Sequence, residues 1–216
     1  MTGDRAVVFD LDGTLVDSAR GIAAAVNRAL SDLNHAPLTD AKVTSFIGNG
    51  VPVLIERVRG ACGINPVLQD TLLASFRRHY EADPLALTAL FPGVSEALSD
   101  LSDRGYRLAV CTNKPERPTH LMLEGLGLDG VFETVVGGDT TPLRKPDPAP
   151  LQLVLDRLGC GGVFVGDSEV DAETADRAGV PFYLFTRGYR KTPVEKLPHR
   201  ASFSDFTALP SLVTES

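Results

Sequence analysis

The chain has 216 residues, 43% of them hydrophobic and 23% charged, which is the composition of an ordinary globular protein. It is long enough to bury about 70% of its unfolded surface without disulfide or metal staples. A net charge of −7 argues against a nucleic-acid or anionic-membrane surface, so an anionic substrate has to be met by local positive charge.

The first apolar run, residues 6–9, reads as a buried strand. It ends in Asp10-Leu11-Asp12-Gly13, two carboxylates one residue apart followed by a glycine that breaks the element. In an open parallel sheet, ligands bind beyond the carboxyl ends of the strands. Alternation predicts that Asp10 and Asp12 share one side of an extended backbone. Carboxylates that close repel unless a cation neutralises them, and oxygen donors suit Mg²⁺. Taken alone, the pair also fits an acidic strand-to-helix turn with Asp17 or Ser18 as N-cap.

Residues 18–33 carry Ile22, Ala25, Val26, Ala29, Leu30 and Leu33 at helical spacing, with Ser18 as the expected N-cap. Thr39 is placed to cap a second helix reaching residue 46, before the loop signal Ile47-Gly48-Asn49-Gly50. Residues 51–61 and 67–82 read as two further helices. No strand pattern interrupts this stretch, so residues 16–87 are expected to form an inserted helical cap. Phe91-Pro92-Gly93 then opens a helix reaching residue 104, and residues 107–111 form a second buried strand ending in Thr112-Asn113. Alternation continues with a helix over 116–126, a strand over 134–136, a helix over 148–158 and a strand over 163–165. A helix over 170–178 and a strand over 181–185 follow, and the tail, 200–212, adds a short segment and a last helix. Apolar strands alternating with amphipathic helices imply an α/β fold with a Rossmann-like parallel sheet. The expected division is a core of residues 1–15 plus 88–216 and a cap of residues 16–87.

Polar residues collect at the strand ends. The Thr112 hydroxyl and the N–H groups after it could hold phosphate oxygens, or cap the helix after Pro115. Lys145, in Arg144-Lys145-Pro146-Asp147-Pro148, is held extended by the proline and supplies positive charge near the acids; otherwise it is a solvated loop lysine. Asp167 and Asp171, four residues apart, share one face at a helix start, as metal ligands opposite Asp10 or as dipole partners. Cys62, Cys111 and Cys160 are far apart and odd in number, with no disulfide framework or zinc spacing, and Cys111 reads as a small core residue. His35, His79, His120 and His199 are scattered without metal-ligand spacing. Without an apolar leader or a membrane-length apolar run, a reducing, cytoplasmic setting is expected.

The string from Asp10 to Ser18, Asp-Leu-Asp-Gly-Thr-Leu-Val-Asp-Ser, resembles the first motif of the haloacid dehalogenase superfamily of phosphohydrolases. Thr112, Lys145 and the Asp167/Asp171 pair match its remaining motifs in order. The resemblance covers the core from residue 6 to about residue 185, and the insertion matches the subgroup with a helical cap after the first motif. Phe46-Ile47-Gly48-Asn49-Gly50-Val51, Cys111-Thr112-Asn113-Lys114-Pro115, Arg144-Lys145-Pro146-Asp147-Pro148 and Gly188-Tyr189 are similar to the phosphoglycolate phosphatases, although sugar-phosphate phosphatases and mutases share part of them. The fourth motif departs from the common Gly-Asp-Ser-x-Asn-Asp form, with Glu169-Val170 before Asp171.

The resemblance implies a Mg²⁺-dependent phosphomonoester hydrolase acting through an aspartyl-phosphate, with 2-phosphoglycolate as the leading substrate. The alternatives are another small sugar phosphate, or a phosphomutase like β-phosphoglucomutase. It makes Asp10 the nucleophile and Asp12 the general acid and base. The metal falls to Asp10, the Asp12 backbone carbonyl, Asp167 and Asp171. Thr112, Asn113 and Lys145 take the phosphoryl group. The Gly48-Asn49-Gly50 loop is the candidate for reading the rest of the substrate, with Arg20 and Arg57 as weaker candidates. Dehalogenase activity is disfavoured because that branch lacks an acid at the Asp12 position. A non-catalytic binding protein has no need of both a nucleophile and a separate acid. The expected partner is a small phosphorylated metabolite, with no nucleic acid or membrane, for a monomer or homodimer.

Overall fold

A computed structural model describes residues 5–214. The outermost parts of the expected core, residues 1–4 and 215–216, lie outside the described residues.

Strand β1 (Arg5–Phe9) is followed by a two-residue strand β2 (Val16–Asp17) and four helices, α1 (Ala19–Asp32), α2 (Asp40–Thr44), α3 (Val51–Ala61) and α4 (Gln69–Ala82). Then come β3 (Ala89–Leu90), α5 (Val94–Asp103), β4 (Arg107–Cys111), α6 (Glu116–Gly125), β5 (Thr134–Val136) and α7 (Ala149–Leu158). The chain ends with β6 (Gly161–Gly166), α8 (Glu169–Ala178), β7 (Phe182–Phe185), β8 (Ala201–Phe203) and α9 (Leu209–Thr214). Strands β5-β4-β1-β6-β7-β8, in that order, form one six-stranded sheet whose pairings are all parallel. The short segment expected in the tail is its edge strand β8.

The chain moves outward from β1 to β4 and β5, then returns across β1 to β6 and continues to β7 and β8. The reversal falls beside β1, where ligands of such sheets bind. The register sets the three central ends level. Phe9 pairs with Val110 on one side and Val165 on the other. Asp10, Thr112 and Asp167 therefore emerge along one edge.

Successive strand residues serve opposite faces. Ala6, Val8, Ala109, Cys111 and Phe164 pack with Leu151, Val154 and Leu158 of α7 and with Ala172 and Ala175 of α8. Val7, Phe9, Val110 and Val165 share the other buried cluster with Val94, Leu98 and Leu101 of α5, and with Leu209 and Val213 of α9. That second cluster runs on into the inserted helices through Ile22, Val26, Leu54, Ile55, Leu72 and Phe76.

The inserted helices leave and rejoin the sheet through an antiparallel ladder that sequence pattern does not reveal. Val16 pairs with Leu90 and Asp17 with Ala89. Two residues are too few for a strand period to register. Caps also need geometry to assign. Thr39 accepts from the Lys42 N–H at 3.2 Å as expected, but no side-chain cap bond comes from Ser18.

Beyond the sheet edge, Phe185 meets Phe91, Phe203 and Phe206 at ring-centroid distances of 4.9, 5.5 and 4.8 Å. This cluster joins β7, β8 and the turn before α9 to the chain just after β3. Phe185→Ala should destabilise the protein by about 3–5 kcal/mol in urea unfolding, with an unchanged denaturant slope. A loss below about 1 kcal/mol would mean that the cluster relaxes around the cavity.

Candidate active site

Asp10 follows the last residue of β1, and its N–H donates to the Val165 carbonyl at 2.9 Å. Its side chain is buried, with the Lys145 Nζ 2.9 Å from Oδ1, an ion pair without a well-aligned hydrogen bond. Lys145 also donates to Asp171 Oδ1 at 2.6 Å. Carboxylate oxygens of Asp10, Asp167 and Asp171 lie within 4.8 Å of one another, and all three residues are buried. Lys145, only 4% exposed, is therefore a core cation and not a solvated loop residue.

Asp12 lines the same cleft as Asp10 but has different polar partners. The expectation that it points with Asp10 assumed continued strand, but the chain turns at Leu11, whose carbonyl accepts from the N–H groups of Thr14 and Val16. The Asp12 carboxylate accepts from the Ser18 hydroxyl at 2.6 Å and sits 3.2 Å, through both oxygens, from the Lys114 Nζ. Its side chain is thus outside the buried triad, and the backbone carbonyl is the atom that stays assigned to the metal. In the sequence Lys114 stands only as part of a motif. It is buried, and it donates to the hydroxyl of Tyr80 on α4 at 2.5 Å. No local pattern marks it, because Tyr80 is 34 residues away and Asp12 is 102.

Asp167 is anchored by the Thr14 hydroxyl at 2.9 Å and the Tyr189 N–H at 2.6 Å. Two glycines allow this approach: a Cβ at Gly13 or at Gly188 would lie 2.6 or 2.3 Å from the Asp167 carboxylate. Gly13 also has φ +91°, a conformation that side chains disfavour. The Tyr189 hydroxyl accepts from the N–H groups of Ser18 and Ala19 at 2.8 and 2.9 Å, and donates to Asp17 at 3.0 Å. It is the cap of α1 that Ser18 was expected to be. Asp171 sits at the start of α8, where Ser168 and Asp171 form a reciprocal capping box. Its Oδ2 accepts from the Ser168 N–H and hydroxyl and its Oδ1 from Lys145, so it is both a helix partner and a member of the acid cluster.

Thr112 is buried at the end of β4, with its hydroxyl oxygen accepting from the Lys114 N–H at 3.2 Å. Both amide protons of Asn113 are committed, to the Gly48 and Lys145 carbonyls, each at 3.0 Å. That corrects its side chain from a phosphate donor to a tie between the inserted segment and Lys145. What it leaves unpaired, Oδ1, is an acceptor and repels phosphate oxygens.

The Gly48-Asn49-Gly50 loop borders the site. Gly48 and Gly50 have φ +119° and +84°. A cleft of about 340 Å³ has both glycines, Asp10, Asp12, Thr112, Asn113 and Lys114 in its wall, with Ile22, Leu54, Phe76 and Tyr80. A recess of about 10 Å³, room for about one water or small ion, adjoins Asp10, Asp12, Asn49, Asp167 and Tyr189. Arg57 spends its guanidinium on the Phe46 carbonyl and Asn49 Oδ1, and exposed Arg20 lines neither space.

Burial, together with Asp171 and against the pull of Lys145, pushes the Asp10 carboxyl up to about 6. Burial, Asp171 and Asp10 raise Asp167 well above the ordinary carboxylate range. Burial works to lower Lys145 and Lys114, but their carboxylate partners outweigh it and both stay above the usual lysine value. The Cys111 thiol, buried at the end of β4, is pushed up to about 12, which suits a core residue and not a nucleophile. The three-carboxylate donor set, all oxygen, with an Asp10 oxygen lacking a hydrogen bond, fits a hard divalent cation.

The chain belongs to the haloacid dehalogenase-like hydrolase family, whose model matches residues 7–185. It is 51% identical over 214 residues, with 96% of each chain covered, to the phosphoglycolate phosphatase of Cereibacter sphaeroides strain ATCC 17025. It is 46% identical, with 95% of this chain and 89% of the other covered, to that of Rhodospirillum rubrum. Among solved structures, a predicted phosphoglycolate phosphatase from Haemophilus somnus aligns with a TM-score of 0.93 at 32% identity, covering 98% of this chain and 99% of the other. Among the described residues, no helix is long and apolar enough to cross a membrane.

The raised carboxyls predict how metal and pH combine. A carboxyl whose folded pKa lies above its ordinary 3.8 favours folding below that value and loses the contribution as pH rises through about 6. A bound cation removes the penalty. Mg²⁺ should therefore raise Tm more at about pH 7 than at about pH 4. Equal shifts at both would contradict the buried triad as its site.

Proposed function

We propose that this chain is a phosphomonoester hydrolase that converts 2-phosphoglycolate to glycolate and phosphate through a phosphorylated Asp10. The observation that carries the reading is the separation of two carboxylates into different environments. Asp10 lies in the acid and lysine cluster, while Asp12 is held by Ser18 and Lys114 on the side of the inserted helices. The substrate follows the names of relatives about half identical over nearly the whole chain.

Asp10 attacks phosphorus as the ester oxygen departs, and Asp12 gives that oxygen its proton, releasing glycolate. Asp12 then takes a proton from the water that attacks the phosphorus of phospho-Asp10. Phosphate leaves and the Asp10 carboxylate is regenerated. Lys145 and the Thr112 hydroxyl hold phosphoryl oxygens, and Lys145 offsets the negative charge of Asp10 and Asp171 beneath them. Asp10, the Asp12 carbonyl, Asp167 and Asp171 would hold Mg²⁺, which when bound supplies positive charge against the substrate dianion.

Residues 16–87 act as the cap in this reading, swinging on the β2–β3 ladder to admit substrate and closing to exclude water. The three cysteines are free thiols, which suits a reducing, cytoplasmic compartment.

The test is phosphate release from 2-phosphoglycolate, a panel of sugar phosphates and pyrophosphate, with and without Mg²⁺. We expect 2-phosphoglycolate to be preferred, Mg²⁺ to be required, and Asp10→Asn to lose roughly 10⁴-fold or more in rate. Faster turnover of a sugar phosphate would sink the substrate assignment, and an active Asp10→Asn enzyme would sink the mechanism.

A further inference from the structure

The proposed substrate sets a geometric demand that its recognition must meet. In 2-phosphoglycolate one methylene carbon joins the leaving oxygen to the carboxylate. Covalent geometry therefore keeps the carboxylate oxygens within about 4 Å of the atom that Asp12 protonates. A cation that reads this carboxylate has to stand beside Asp12. The spot is unfavourable without one, since it brings one carboxylate against another.

Among the described residues, few cations approach it. Arg20 is exposed and outside the cleft, and Arg57 is tied to Phe46 and Asn49. Lys145 is engaged by Asp10 and Asp171. Arg77 and Arg117 line the cleft and Lys191 lines the adjoining recess, none with an ion pair to Asp12. Lys114 alone forms one, its Nζ 3.2 Å from each Asp12 oxygen. It lines the cleft although only 7% exposed. Tyr80 fixes its head group from the inserted segment, through a 2.5 Å hydrogen bond. An ammonium has three N–H groups, and these two partners leave one for a ligand.

We propose that Lys114 is the residue that selects the substrate's carboxylate, with Tyr80 orienting its ammonium. This rests on the assignment of 2-phosphoglycolate. It moves the selectivity from the Gly48-Asn49-Gly50 loop to a lysine of the sheet edge whose position depends on α4. Because Tyr80 belongs to the inserted segment, the carboxylate contact forms only when that segment is in place.

The experiment compares kcat/KM for 2-phosphoglycolate and for ethyl phosphate, which has a methyl group where the carboxylate stands. Wild-type enzyme is expected to prefer 2-phosphoglycolate. Lys114→Met should lower the ratio of the two values at least about tenfold, mainly through KM for 2-phosphoglycolate. Lys114→Arg, which keeps the charge, should retain part of the preference. Tyr80→Phe should lower the ratio by about threefold. Thermal melts establish that each variant is folded, and Lys114→Gln replaces the Met variant if that one is not. An equal fall on both substrates, or an unchanged ratio, overturns the proposal, because Lys114 then serves Asp12 alone. A wild-type enzyme without preference for 2-phosphoglycolate overturns the substrate assignment itself, and this inference with it.

Discussion

The structure depends on balancing charge in a place where water cannot help. Asp10, Asp167 and Asp171 converge at the buried edge of the sheet, with Asp12 beside them, and two buried lysines answer the four acids. With all four ionised, two negative charges remain, the charge of one divalent cation. Buried acids that crowd this closely are costly unless paired. The raised proton affinity of Asp10 and Asp167 is the form that cost takes before a cation arrives. The glycines at 13 and 188 leave room for the Asp167 carboxylate, and the Thr14 hydroxyl and the Tyr189 N–H hold it there.

The sheet order makes the convergence possible. Strands far apart in sequence end level beside β1, so four short polar segments meet without any one being long. The two faces of the sheet do different work. One packs against α7, α8 and Leu197, while the other continues into the inserted helices. Those helices therefore share one apolar cluster with the strand that precedes Asp10.

What could be read from the sequence was what a short run of residues determines. An apolar run ending in Asp10-Leu11-Asp12-Gly13 announces a strand and its acidic end, and the same logic finds Thr112 and Asp167. The parallel sheet and the helical insertion follow from the change of period along the chain. Lys114, Tyr80 and Tyr189 were not legible as partners, because each acts on a residue many tens of positions away. Tyr189 is 171 residues from the Ser18 N–H that it caps. The partners of Asp12 are not legible for a related reason: alternation holds only while the chain is a strand, and here it turns at Leu11. The family resemblance gives Asn113 a phosphate contact, whereas two carbonyls already claim its amide.

The β2–β3 ladder has an evolutionary consequence. It pins the two ends of the inserted segment one strand spacing apart, about 4.8 Å. Any segment whose ends meet at that distance could be spliced there, since the entropy of closing a longer loop grows only slowly with its length. The acids of β1 and β6 would stay where they are. A transplanted segment would have to rebuild polar contacts with the remainder of the chain, among them Ser18 with Asp12, Asn113 with Gly48, Lys114 with Tyr80, and Tyr189 with the start of α1. Those junctions are where descendants with new substrates would first accumulate compensating changes.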